Sequence, residues 1–351
     1  MSDDVYKRLS EFLDKMPGGF PSTESGVEIK ILKRFFTPEE AELELHLTPM
    51  PESASAIAER AGMDESKAAE MLDSMAKQGS IMRVKTEAAT LYLAISFVVG
   101  IYEFHLNSID RELAELMEEY LPYLGMVWTS VKTKQLRVVP VTSALEGSPA
   151  VAPYNQLREM VKTQEIASVA DCICRKEQAL MGNKCDKPQD LCFQFGMAAE
   201  YYIENDMARQ ISIDEALKLL DVAEENALVP SITNAKNMVN ICCCCGCCCG
   251  ILRGMKLLPR PADHVVSSYQ AKIDPELCSA CETCIERCQV DAIIENGDVM
   301  EVDLARCIGC GLCVSTCPDE AISMVAKPDA EIPPDNIVTM MMQIAKERGL
   351  T

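Results

Sequence analysis

From Cys278 the chain reads CSACETCIERC and from Cys307 it reads CIGCGLCVSTCP, so the spacing C-x2-C-x2-C-x3-C occurs twice, displaced by 29 residues (307 − 278). Cys278, Cys281, Cys284 and Cys288 map onto Cys307, Cys310, Cys313 and Cys317. The register extends beyond the thiols: Asp274 maps onto Asp303, Ala292 onto Ala321 and Ile293 onto Ile322. Three thiolates close in sequence can wrap three corners of a cubane-shaped centre, and the fourth corner then needs a ligand from further away. Eight cysteines in duplicated register argue against two zinc sites.

The stretch from Lys272 to Ala326 resembles a bacterial two-cluster ferredoxin. The resemblance implies two [4Fe–4S] clusters in which the fourth cysteine of each run serves the other cluster. Cys278, Cys281, Cys284 and Cys317 then hold one, and Cys307, Cys310, Cys313 and Cys288 the other. Pro318 follows Cys317 as in the family pattern, but Gln289 follows Cys288 where the family has Pro. That departure touches loop geometry, not ligation. Gly309 and Gly311 suit a loop hugging the second cluster, whereas the first loop has Ala280 and Glu282, so the two clusters are expected to differ in potential.

The chain has 19 cysteines, none before Cys172. Cys172, Cys174, Cys185 and Cys192 follow C-x-C-x10-C-x6-C, which suits one tetrahedral or cubane site. Then comes ICCCCGCCCG, with Cys242, Cys243, Cys244, Cys245, Cys247, Cys248 and Cys249 interrupted by Gly246. Neighbouring side chains diverge, so the seven thiols cannot share one centre. As a strand the run aligns Cys243, Cys245, Cys247 and Cys249; as a helix it aligns Cys242, Cys245 and Cys249. These eleven cysteines are candidate ligands of one or two further iron–sulfur clusters, with zinc as the alternative. Packing alone does not explain them, because Ala or Ser fills space without the oxidation hazard. Glu177, Lys184 and Asp186 lie near these thiols and read as surface charges.

Residues 1–95 read as mainly helical. Thr37-Pro38-Glu39-Glu40 is a helix start with a capping box. Ala54, Ile57 and Ala58 form one apolar stripe and Ala68, Met71, Leu72 and Met75 a second; a hairpin of IMRV with TLYLAI follows Gly79. Helix, turn, helix and two-stranded wing resemble a winged helix. Its second helix, Asp64 to Gln78, carries Asp64, Glu65, Glu70 and Asp73 against Lys67 and Lys77, which argues against DNA binding. The apolar window Leu91 to Phe104 is too short to span a membrane and reads as a strand running into a helix. Asp110 to Tyr123 predicts a helix, Arg137 to Val141 a strand, Tyr154 to Lys162 a helix, and Ser212 to Asn226 a helix opened by a capping box. Gly147 with Pro140, Pro149 and Pro153 marks loops. Asp335 to Arg348 is amphipathic and predicts a packing helix. His46, His105 and His264 sit in apolar or loop contexts and read as structural.

The start of the chain shows no basic segment followed by an apolar core, so a cytoplasmic setting is expected, where set cysteine spacings mean metal or redox ligands. A formal charge of −21 disfavours a nucleic-acid partner and suits docking on basic redox partner proteins. MPGGFP near the start, the CxC segment and NICCCCGCCCGILR together resemble 4Fe-4S dicluster domain proteins of anaerobes, which implies oxygen-sensitive electron-transfer chemistry. The expected fold is α+β multidomain: a winged-helix-like helical domain at 1–95, a mixed α/β Cys-rich region at 96–265, a two-cluster ferredoxin-like domain at 266–328 and a C-terminal helix at 329–351. The expected function is single-electron relay as a ferredoxin-like subunit or partner of an anaerobic oxidoreductase, within a homo- or hetero-oligomer. The rivals are a redox-responsive regulator using the winged helix, and a reductase with an unusual centre among Cys172–Cys249.

Overall fold

The computed structural model describes residues 2–146 and 151–350; Gly147 and Pro149, read above as loop markers, lie outside them. The chain opens with helices α1 (Ser2–Asp14), α2 (Val27–Phe35) and α3 (Pro38–Glu44). α3 starts as its sequence dictates: Thr37 Oγ1 accepts from the Glu40 amide at 3.3 Å, and Glu40 Oε2 accepts from the Thr37 amide at 2.8 Å. Strand β1 (Glu52–Ser53), helices α4 (Ala54–Ala61) and α5 (Glu65–Gln78), and strands β2 (Met82–Lys85) and β3 (Thr90–Leu93) come next. β3 lies between β1 and β2, with Glu52 opposite Tyr92 and Met82 opposite Leu93. The apolar window continues from β3 through irregular backbone into the short helix α6 (Tyr102–Phe104). Helix α7 (Arg111–Ser130) is capped by Asp110, which accepts from the Leu113 amide at 2.9 Å; it runs through Pro122 and past the expected end at Tyr123.

Apolar side chains of these elements form one buried cluster from Val5 to Tyr120, and position 95 falls inside it. The rings of Phe20, Phe97 and Tyr120 pack within it at tilted and edge-on angles, with centroids 4.6 to 6.1 Å apart. Ala170, Ile173, Tyr201 and Tyr202 join the same cluster, so the helical region is packed against the middle of the chain.

That middle part is a six-stranded antiparallel sheet with helices. In order it contains β4 (Leu136–Val138), α8 (Leu157–Lys162), β5 (Ala167–Ala170), α9 (Ile173–Leu180), β6 (Cys192–Phe195), α10 (Met197–Glu204), β7 (Arg209–Ile211), α11 (Ile213–Glu225), β8 (Val229–Thr233), β9 (Asn240–Cys244) and α12 (Gly250–Lys256). The strand order is β4-β8-β9-β6-β5-β7. Ser212 caps α11 by accepting from the Glu215 amide at 3.1 Å, but the Glu215 carboxylate turns to Arg209 at 2.5 Å instead of completing a capping box.

Alternation along the strands gives the sheet two unlike faces. Val169, Phe193, Ile241 and Ile232 lie in one row across it and are covered by Leu157, Val161, Ala216 and Leu220 of α8 and α11. Phe193, Ile232 and Ile241 are fully buried, each worth about 1.5–3 kcal/mol of apolar transfer. One position along, the row on the opposite face is Ala170, Cys192, Cys242 and Ser231.

The last part contains β10 (Tyr269–Ile273), α13 (Thr283–Arg287), β11 (Ile293–Asn296), β12 (Val299–Val302), β13 (Ile322–Ala326) and α14 (Ile337–Glu347). β10 pairs with β13, and β11 with β12, both antiparallel. α14 buries Met340 and Ile344 and returns to the first helices: Arg348 donates to the carbonyls of Asp14 and Met16 at 2.8 and 2.6 Å. Among the described residues, no helix is long and apolar enough to cross a membrane.

Candidate metal centres

The duplication is visible as reciprocal bonding between its halves. The Asp274 amide donates to Ala321 O at 2.8 Å, and the equivalent Asp303 amide donates to Ala292 O at 2.8 Å. Each aspartate then caps the loop after it: Asp274 Oδ1 accepts from the Glu276 amide at 3.0 Å, and Asp303 Oδ1 from the Ala305 amide at 2.9 Å. Each half therefore presents three cysteines on a loop and leans its fourth towards the other half. Cys284 has Cys278, Cys281 and Cys317 as neighbours, and Cys310 has Cys288 and Cys307. Cys278, Cys281, Cys284 and Cys317 line one recess with Ile273 and Met300. Cys313 has Cys310, Cys307 and Cys288 as neighbours and Cys284 of the other group beyond them.

Both loops take the same left-handed turns, although only one has glycine for them. φ is +55° and +63° at Ala280 and Glu282, and +71° and +76° at Gly309 and Gly311. Glycine is forced in the second loop by contact: a Cβ on Gly309 would lie 2.0 Å from the Tyr269 carbonyl oxygen. Amides also point at sulfur, with Met300 N 3.4 Å from Cys278 Sγ, Ala271 N 3.4 Å from Cys307 Sγ and Ala292 N 3.1 Å from Cys288 Sγ. Burial, then repulsion from Cys288 and Cys307, pushes the Cys310 thiol up to about 12. Buried thiolates this close together need a compensating cation, which is the condition that iron meets. The residues therefore fit two clusters.

Upstream, strand pairing assembles what the spacing alone did not resolve. β6 and β9 are neighbours with Cys192 opposite Cys242, so the 172–192 hairpin lies against the cysteine run. Six thiols form a contiguous group, buried at Cys244 and Cys249 and half-buried at the rest: Cys172 neighbours Cys174, Cys174 neighbours Cys249, Cys249 neighbours Cys244, Cys244 neighbours Cys242 and Cys242 neighbours Cys192. Hydrogen bonds from Cys192 and Cys244 hold Cys242 well below the ordinary thiol range, and those from Cys174 and Cys244 do the same for Cys249. The donors Cys174, Cys192 and Cys244 are raised correspondingly.

A second group is separate. The sulfurs of Cys185, Cys245, Cys247 and Cys248 all lie within 4.8 Å of one another. Cys243 belongs to neither group; it points to the apolar face of β9 with Ile241, and burial pushes its thiol up. The structure brings the Cys185 sulfur to those of Cys245, Cys247 and Cys248, whereas the spacing grouped it with Cys172, Cys174 and Cys192, and the run follows neither the all-strand nor the all-helix pattern. β9 ends at Cys244 and the chain turns through 245–248, so only Cys242 and Cys244 keep strand alternation.

Several groups around the six thiols were not legible as site residues. Glu103, inside the apolar window 91–104, is pushed up to about 8 by burial, with Cys242 and Cys172 beside it. Glu177 is buried rather than a surface charge; it accepts from the Tyr102 hydroxyl, and burial pushes it up to about 7. Arg175 is 2% exposed and spans the two thiol groups. Its Nη2 donates to Cys243 O at 2.6 Å, Nε and Nη1 have no hydrogen-bond partner among the described residues, and the thiols of Cys172, Cys245 and Cys244 lie around the guanidinium. The signal that finds these residues is their place next to a CxC or beside an apolar run, which sequence alone does not rank.

Residues 271–324 match the family model of the 4Fe-4S dicluster domain. The C-terminal segment is of the iron–sulfur ferredoxin type. The chain is 43% identical over 61 residues to dihydromethanopterin reductase (acceptor) of Methanosarcina mazei, covering 16% of this chain and 26% of that protein. It is 44% identical over 41 residues to a ferredoxin of Saccharopolyspora erythraea, covering 12% and 39%. It is 40% identical over 57 residues to the pyruvate synthase subunit PorD of Thermotoga maritima, covering 16% and 56%. The matches thus span from a quarter to just over half of these relatives. No solved structure matches the chain. Together the domain and its relatives support an iron–sulfur electron-transfer role.

Proposed function

We propose that the chain is a multi-centre electron relay: Cys278, Cys281, Cys284 and Cys317 hold one [4Fe–4S] cluster, Cys307, Cys310, Cys313 and Cys288 a second, and the six upstream thiols a further iron–sulfur centre. When bound, such clusters accept and release single electrons. The observation that carries the reading is continuity of packing. Cys244 and Cys249 of the upstream group share one buried cluster with Cys284, Cys307 and Cys313, with Cys288 packed on its edge. Gln289, directly after Cys288, accepts from the Gly246 amide at 2.8 Å. At the other end Cys281 is exposed, which suits electron entry from a partner there.

The domain division given above, 1–95, 96–265, 266–328 and 329–351, belongs to this reading, as does a cytoplasmic, anaerobic setting. We read the helix–turn–helix and its wing as a winged-helix-like module used for internal docking rather than for DNA. Tyr201 of α10 donates to Ala76 O and Ile81 O at 2.7 Å, and Arg83 of the wing pairs with Glu204 of α10 at 3.2 Å. The hinge between α5 and the wing is thus occupied by this chain's own helix α10.

The test is iron and acid-labile sulfide per chain with spectra of the reduced protein, purified without oxygen. About eight irons plus a further complement, with C288S and C307S perturbing one signal and C278S and C317S the other, support the relay. A signal that responds to C278S and C288S together sinks the crossed ligand sets. About eight irons and no more removes the upstream iron–sulfur centre.

A further inference from the structure

We infer that Cys185, Cys245, Cys247 and Cys248 form a closed tetrathiolate site for a single zinc-class divalent cation, distinct from every iron–sulfur centre of the chain. The reasoning begins with size. Metal–sulfur bonds of about 2.3 Å at tetrahedral angles put sulfurs about 3.8 Å apart. Here Cys185 Sγ is 3.6 Å from Cys247 Sγ, Cys247 Sγ is 3.7 Å from Cys248 Sγ, and all four sulfurs lie within 4.8 Å of one another. That space holds one ion. A cubane needs its four thiolates outside an inorganic cage, each on a different iron, and so further apart. The molecule supplies its own control: among the described residues, neither the eight ferredoxin cysteines nor the six-thiol group contains a set that closes to this distance.

Local backbone explains how four thiols converge. The turn after β9 is closed by the Cys249 amide donating to Cys245 O at 3.1 Å, which lets Cys245, Cys247 and Cys248 point the same way. Cys185 arrives from the connection between α9 and β6, which has no regular structure of its own. That connection is tied at one end, where the Cys172 amide donates to Gln189 O at 2.8 Å and Gln189 Nε2 donates to Cys172 O at 2.8 Å. A cation at Cys185 ties its middle to the run. Cys245 and Cys248 are buried while Cys247 is exposed, so the ion enters from solvent and is held against the core. Four thiolates leave no open coordination position, which makes the site structural rather than catalytic. A redox-inert d10 ion suits a clamp beside electron-carrying centres, because it keeps its charge when they change theirs.

The inference does not depend on the relay, and its test separates the two. Zinc and iron are counted on full-length protein purified without oxygen, for wild type, C185S, C247S, C243S and C278S. We expect about one zinc in wild type, C243S and C278S, and loss of zinc with unchanged iron in C185S and C247S. X-ray absorption at the zinc edge of the wild type should give four sulfur neighbours at about 2.3 Å, which needs no variant to fold. Zinc absent from wild type, or iron lost from C185S in place of zinc, overturns the proposal. One iron with the absorption of a mononuclear tetrathiolate keeps the geometry and overturns the zinc assignment. Zinc lost from C278S instead places it in a vacated cluster site and also overturns it.

Discussion

Gly246 interrupts the cysteine run because nothing larger fits. A Cβ there would lie 2.3 Å from the Gln289 carbonyl oxygen, and the Gly246 amide is held by the Gln289 side chain. Gly246→Ala is therefore expected to cost about 1–3 kcal/mol in denaturant titrations and to shift the spectrum of the Cys288-containing centre. Gln289→Pro restores the residue of the ferredoxin pattern but leaves that amide without its acceptor. It should destabilise by about 1–3 kcal/mol, while a change confined to noise would dissociate Gln289 from the run. His105 supplies a pH signature. Burial against Phe35 lowers its pKa from 6.5 to about 4, with Nδ1 donating to Ile101 O at 2.7 Å. The unfolded chain then binds the extra proton between those values, so stability is complete above pH 6.5 and falls as pH drops towards 4. The loss at pH 5 should be about 2 kcal/mol relative to pH 7.5, and H105Q should remove that part of the slope. The eight repeated cysteines and the oddity of Gln289 were legible from spacing. Its partner, 43 residues earlier, was not, because hydrogen bonding across loops leaves no periodic trace.

At the scale of elements, pairing decides what a thiol touches. The helix pair, its stop at Gly79 and the hairpin at 82–93 were legible because periodicity and stop signals agree there. The partition of the run was not: it depends on β9 ending at Cys244, and Gly246 alone does not say which of the cysteines on either side of it keep strand alternation. Docking of the wing gives a prediction of its own. The Arg83 side chain is 6% exposed, whereas its partners Asp73 and Glu204 are 48% and 36% exposed. Removing the arginine leaves two carboxylates that water can solvate, so Arg83→Met should cost about 1 kcal/mol or less. Removing both carboxylates strands a buried charge, so the double change Asp73→Ala with Glu204→Ala should cost about 3 kcal/mol or more. Equal effects in denaturant titrations would show that the buried guanidinium needs neither partner.

Over the whole molecule, 54 acidic residues outnumber 33 basic ones. Reduction by a basic donor protein should slow as salt rises from about 10 to 150 mM, because the screening length falls from about 30 to 8 Å. Stopped-flow rates that ignore salt would remove charge steering from the account. The sheet order carries a consequence for how the protein is made. β9 is the last of the six strands in the chain, yet it lies between β8 and β6, near the middle of the sheet. The strand that completes the sheet is thus the one that brings Cys242 and Cys244 to Cys192, and the turn after it brings three thiols to Cys185. Until that strand inserts, neither upstream thiol group is complete, and a nascent chain ending before Asn240 has an incomplete sheet, three thiols of the six-thiol group and only Cys185 of the other. On the proposed reading, maturation of the upstream centres is a late event, coupled to closure of the sheet. The C-terminal pair can load within the short span from Cys278 to Cys317, on its own schedule.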